Sequence, residues 1–156
     1  MSLLLNWAPN LHPLVVHFPI VLLIAAASVD VVDAFFQRPA WLSTVATSLY
    51  LAGAGAAIAA YLTGAQAGST VFLPGMAHPV LSGHRWWALL TTWYFGIVAV
   101  ARVSAGLAGV PRTRSHRVWL LVAGLVGVVL LQQAADRGAQ LVYRHGVGVI
   151  AAPGSR

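Results

Sequence analysis

The sequence predicts an all-α membrane protein, a four-transmembrane-helix bundle with up-down-up-down topology. Three observations carry this reading: the composition, four separate apolar stretches, and the tryptophans and arginines that bracket them. Hydrophobic residues make up 59% of the 156 and charged residues only 8%, with a mean hydropathy of +0.80. A soluble domain carries roughly 25% charged residues, so this chain has too little polar surface to coat a water-exposed globule. It contains neither Lys nor Glu, and its net charge of +6 comes from arginines set against Asp30, Asp33 and Asp136. Those arginines sit at the ends of apolar runs rather than along one polar face, which argues against nucleic acid as a partner.

The apolar runs cover residues 13–29, 41–63, 86–103 and 118–131. A spanning helix needs about 20 mostly apolar residues, so flanking residues extend the expected helices to about 12–36, 41–64, 84–107 and 116–140 in a single domain. The first begins at Asn10-Leu11-His12-Pro13, with His12 placed as N-cap and Pro13 at the first helical position, where a missing N–H costs nothing. It lacks the basic leader and cleavage pattern of a signal peptide and reads as a span. Pro19 should loosen its first turns. The second run is rich in small residues (Gly53, Gly55, Ala56, Ala57, Ala59, Ala60), which suit close helix packing or, alternatively, a groove for a flat macrocycle. The third opens at His84 with Trp86 and Trp87 behind it. The fourth is short and reaches full length only by continuing through Gln132, Gln133 and Asp136. No internal repeat, low-complexity tract or second domain is evident.

Arg38, Arg102, Arg112, Arg114 and Arg117 fall at one side of the bundle, and Arg85, Arg137, Arg144 and Arg156 at the other. The positive-inside rule then makes the first group cytoplasmic and both termini periplasmic, in a multi-pass protein of the bacterial cytoplasmic (inner) membrane. Trp7, Trp41, Trp86, Trp87 and Trp119 lie near the expected interfaces, where amphipathic rings are favoured, while Trp93 lies deeper.

The same topology sorts the six histidines. His12 and His17 open the first helix, His78 and His84 precede the third, and His145 follows the fourth, so five converge on one end; His116 alone joins the arginine side. With no Cys there is no disulfide, thiolate metal site or CxxCH haem attachment, and any redox centre must be held by histidine or by packing. An imidazole at membrane depth is a functional hypothesis by default. His17, about one turn inside its helix, and His84, at comparable depth on a parallel helix, are the expected pair for a b-type haem. Asp136 and Gln133 stand toward the same end as candidate acceptors for a ligand's second ring N–H. His12 and His17, five apart and about 500° of helical rotation from each other, do not share a face. Plainer roles compete: a cap for His12, a headgroup contact for His78, an interfacial ion pair for Asp136 with Arg137, a solvated helix end for Asp30 and Asp33, and an interfacial anchor for Tyr143 and Arg144.

The stretch Leu11-His12-Pro13-Leu14-Val15-Val16-His17-Phe18-Pro19-Ile20 carries an HPxxVHFP pattern. It resembles the opening signature of a bacterial family of small four-helix membrane proteins, domain of unknown function 2231. The closing stretch from Gly138 to Val149, with Leu141-Val142-Tyr143-Arg144-His145-Gly146-Val147-Gly148-Val149, is similar to that family's end motif, and Leu62-Thr63-Gly64-Ala65 and His84 also match. Ala139 departs from it, standing where the family favours a second glycine. The resemblance implies His12, His17, His84 and His145 as the functional histidines. It allows one haem or two (His17 with His84, His12 with His145), of which one suits a short bundle better. Membrane modules of this kind joined to Rieske-type or cytochrome c domains imply electron transport at the outer face.

The leading expectation is therefore a haem b electron-transfer protein, or a subunit of a respiratory or photosynthetic complex, more an accessory or electron-transfer subunit than a catalyst on its own. Its partners would be the lipid bilayer, other membrane subunits and a periplasmic cytochrome or Rieske-type protein. The alternatives are a cofactor-free structural subunit and a histidine site for a transition metal. The absence of Cys, with only Met1 and Met76, speaks against soft Cu(I) transport. Nothing resembles a hydrolytic site or the inverted repeat of a transporter.

Overall fold

A computed structural model describes residues 10–36 and 39–149; Trp7, Arg38 and Arg156 lie outside the described residues. The helices are α1 (His12–Val15), α2 (His17–Phe36), α3 (Trp41–Thr70), α4 (His78–Leu107) and α5 (Arg114–Tyr143), with one 3-10 turn at Gly75–Ala77. Helices α1 and α2 make one span of 25 residues, and the other three spans run 30 to 33 residues. At 1.5 Å per residue they reach roughly 37 to 50 Å, beyond the ~30 Å hydrocarbon core, so their ends stand in the headgroup region. The chain is thus an all-α membrane protein with four spanning helices.

Local chemistry explains the boundaries. The break between α1 and α2 follows Val15, whose carbonyl would have accepted the N–H that Pro19 lacks. Helix α3 continues past Gly64 to Thr70, where the Ser69 and Thr70 hydroxyls donate to the Gln66 carbonyl. The chain turns extended at Val71. Helix α4 starts earlier than residue 84, because Pro79 fits its first turn. His78 therefore opens a helix, and His84 lies nearly two turns inside it. Thr113 caps α5 by accepting the His116 N–H at 3.1 Å.

Helix α2 packs on α3 and α5, and α4 packs on the same two, so α2 and α4 face each other across a diagonal. The central core is Leu23, Ala26, Tyr50, Ala54, Phe95 and Ala99. Gly53 lets Leu23 pack against α3: a Cβ there would come within 2.6 Å of the leucine side chain. Gly55 faces open space, so within this run Gly53 serves helix packing, while Ala57 and Ala60 line a cavity. Ile24, Ile58, Leu62, Trp93, Ile97 and Val129 point outward and present an apolar face to lipid, with Trp41, Trp86 and Trp119 exposed near the helix ends.

At the end opposite the five histidines, Asp30 and Asp33 turn inward instead of forming a solvated helix end; they are 4% and 5% exposed. A charge inside a membrane bundle needs a partner, and each has one. Arg102, which lies within α4 rather than in the linker, grips Asp30 through both terminal nitrogens at 3.0 Å. Arg112, in the α4–α5 connection, meets Asp33 at 2.7 Å.

Candidate functional site

The histidine end contains an apolar cavity of about 390 Å³ between the four spans, within the range of about 300–1,000 Å³ typical of small-molecule sites. Ala57 and Ala60 of α3, Leu131 and Ala134 of α5, and Thr91 of α4 form its walls. Val147, Gly148 and Val149 fold back across one side. That return requires Gly146 at φ 63°, a left-handed conformation that suits glycine, and is tied by the Val147 N–H donating to the Leu141 carbonyl at 2.9 Å.

Two histidines enter this cavity, His12 from α1 and His84 from α4. Their ring centroids are 6.3 Å apart and their planes cross at 75°. The Nδ1–H of His12 donates to the Ala60 carbonyl at 3.0 Å, and that of His84 donates to the Ala134 carbonyl at 2.9 Å. A carbonyl only accepts, so both rings carry their proton on Nδ1 when neutral. Neither Nε2 makes a hydrogen bond to another described residue. Each ring also rests against a glycine: a Cβ on Gly64 would lie 2.9 Å from Cε1 of His12, and one on Gly138 would lie 3.1 Å from Cε1 of His84.

The structure brings His12 and His84 together, and not His17 with His84. His17 is exposed on the outside of α2, as the rotation between positions 12 and 17 requires once His12 faces inward. His145 is half-buried after α5 and does not line the cavity, so no His12–His145 pair forms. His78 is exposed. Asp136 and Gln133 do not hold a histidine: Asp136 accepts from Gln140 at 2.7 Å, and Gln133 accepts from Arg137 at 2.9 Å. Arg137 also lies over the Trp87 ring, 5.2 Å from its centroid, rather than pairing with Asp136. Backbone carbonyls take the part expected of those side chains. Gly64, Ala134 and Gly138 were not foreseen as part of a ligand site, and Ala60 was foreseen only as one of the small residues that could leave a groove, not as a ring N–H acceptor. Their signal was present as the matching strings Ala60-x-x-x-Gly64-Ala65-Gln66 and Ala134-x-x-x-Gly138-Ala139-Gln140.

Two imidazoles lining one apolar cavity, each with its Nδ1 engaged by a carbonyl, would be a donor set for a metal centre that brings its other ligands with it. A bare ion usually takes three or four protein ligands, and no group of three or more His, Cys, Asp or Glu among the described residues is placed to hold one. The spacing of the two imidazoles and the apolar lining around them are compatible with residues that would hold a haem iron.

The fold and this site define a four-helix membrane protein with a paired-histidine cavity at one end. Residues 8–151 match the model of the family described as "Predicted membrane protein (DUF2231)", and the chain belongs to that family. No curated protein and no solved structure matches it significantly.

Proposed function

We propose that the protein is a b-type haem electron carrier of the bacterial cytoplasmic membrane, in which His12 and His84 would hold the haem iron. The observation that carries this reading is two neighbouring imidazoles in one apolar cavity, each with Nδ1 held by a backbone carbonyl and Nε2 without a hydrogen bond to a described residue. Holding the second nitrogen fixes ring orientation and raises ligand basicity. The alanine-rich walls would favour a flat apolar ring, while Arg85, exposed at the rim of the cavity, would offer a cation to its carboxylates. A haem so bound supplies one-electron chemistry. The protein's contribution is to hold the site near one membrane surface, within reach of a soluble cytochrome, a Rieske-type domain or a neighbouring membrane subunit. Arg112, Arg114 and Arg117 cluster in and beside the single α4–α5 connection, and on that clustering we infer that this end is cytoplasmic and the histidine end outside.

The test is an absorption spectrum of detergent-purified protein, expressed with haem supplied, oxidised and then reduced with dithionite, together with a pyridine haemochrome assay. A Soret band that shifts on reduction and a b-type haemochrome are expected. A flat visible spectrum would overturn the proposal and leave a helical interaction subunit as the function.

A further inference from the structure

The two histidines occupy corresponding positions in two helical hairpins, α1/α2–α3 and α4–α5. His84 follows His12 by 72 residues, and the same offset relates Leu23 to Phe95 and Asp30 to Arg102. On the second helix of each hairpin the offset is 74, relating Gly53 to Gly127, Ala60 to Ala134 and Gly64 to Gly138. The contacts repeat with the positions. Gly53 makes room for Leu23, and Gly127 makes room for Phe95. A Cβ added to either glycine would meet the imidazole through the same atoms in the same order: Cε1, then Nδ1, then Nε2, at 2.9, 3.1 and 3.5 Å for Gly64 and 3.1, 3.4 and 4.0 Å for Gly138. The carbonyl that accepts Nδ1–H lies four residues before the glycine in both.

We propose that Ala60–Gly64 and Ala134–Gly138 are two copies of one imidazole-holding element, which positions His12 and His84 with both Nε2 lone pairs available to a single ligand between the hairpins. The carbonyl sets the tautomer, and the missing Cβ sets how deeply the ring seats. One such arrangement would be ordinary helix packing. Its repetition at equivalent positions on two hairpins ties it to the ligand that both halves share. The identity of that ligand rests on the haem reading above; the holding element itself does not, because it is a property of the protein alone.

The experiment uses the full chain, labelled with nitrogen-15 histidine, in detergent micelles without haem, and compares wild type, Gly64→Ala, Gly138→Ala and the controls Gly55→Ala and Gly96→Ala, whose added methyls meet nothing within 4 Å. In wild type, two histidines should show the neutral Nδ1–H tautomer, which free imidazole side chains disfavour. Gly64→Ala should move the His12 signals and spare those of His84, and Gly138→Ala should do the reverse with a smaller shift. With haem supplied, Gly64→Ala should retain it about tenfold less well, the scale seen when a ligand's supporting contacts are lost. Nε2–H tautomers at both positions in wild type would overturn the proposal without any variant having to fold. So would glycine variants indistinguishable from the two controls. A wild type that never takes up haem yet shows the tautomers and the glycine response would sink the haem reading and keep the holding element. Bound haem with silent glycine variants would do the opposite.

Discussion

Arg102 and Asp30 meet across the diagonal of the bundle, two nitrogens on two oxygens at 3.0 Å, with their side chains 2% and 4% exposed. The same two helices, α2 and α4, carry the opposed pair at the other end through α1 and His84. The guanidinium also lies over the Tyr50 ring at 4.8 Å and reaches the Thr47 hydroxyl at 3.2 Å. Equivalent positions of the two hairpins therefore hold like groups at the ligand end and opposite charges at the far end. On the haem reading proposed above, the first arrangement would serve a ligand shared by both hairpins; the second gives the two hairpins a specific contact with each other.

Breaking that contact from one side should be costly. Asp30→Asn leaves the Arg102 charge buried without its counter-ion, and the expected loss is about 3–5 kcal/mol of stability. Replacing both, as Asp30→Leu with Arg102→Met, should recover most of it, because the desolvation cost of both ions disappears together. Loss of helicity on titration with SDS in mixed micelles measures each variant. A double variant no more stable than Asp30→Asn would show that the pair does more than neutralise itself.

The histidines give the sharpest separation of roles. His12→Ala and His84→Ala should each abolish the low-spin b-type spectrum, whereas His17→Ala and His145→Ala should leave it within about twofold of wild-type intensity, in line with positions that hold no axial ligand. Imidazole added to His12→Gly should restore part of the low-spin band by filling the vacated position. A spectrum lost in His17→Ala but kept in His12→Ala would return the ligand pair to His17 and His84.

Close helix packing gives a third expectation. A methyl on Gly127 collides with the rings of Phe95 and Tyr94, which are stiff and hemmed in, so Gly127→Ala should destabilise the bundle by about 1–3 kcal/mol, the usual cost of overpacking. Gly55→Ala, facing open space, should be neutral or slightly stabilising through helix propensity. Phe95→Leu placed in the Gly127→Ala background should regain part of the loss. Thermal melts followed by circular dichroism decide it, and equal melting temperatures for the two glycine variants would refute the packing argument.

The spans were legible because hydropathy is a sum over about 20 residues and tolerates local error. The end at which the histidines gather followed from connectivity alone. Which of them meet did not, since that depends on helix rotation: His12 sits before the break caused by Pro19, and a residue placed as a cap turned out to face the cavity. Asp30 and Asp33 looked like a solvated helix end because nothing local shows that Arg102 lies 72 positions away on a facing helix. The acceptors for the ring N–H groups were the least visible. Every residue owns a carbonyl, and only the short A-x-x-x-G-A-Q match between halves marks Ala60 and Ala134 as the two that matter.

Membrane orientation can be read directly, because the chain has no cysteine and any introduced thiol reports alone. Met76, 83% exposed in the connection between α3 and α4, lies at the histidine end. Ser115, exposed in the first turn of α5, lies at the arginine end. Neither makes a side-chain contact used in the packing or the site, so Met76→Cys and Ser115→Cys should fold as wild type does. In intact bacterial cells a membrane-impermeant maleimide should label Met76→Cys and leave Ser115→Cys unmodified until the membrane is opened. That result follows if Arg112, Arg114 and Arg117 hold their end in the cytoplasm. The reverse pattern would place the paired histidines at the cytoplasmic surface and require an intracellular electron donor or acceptor in place of a periplasmic one.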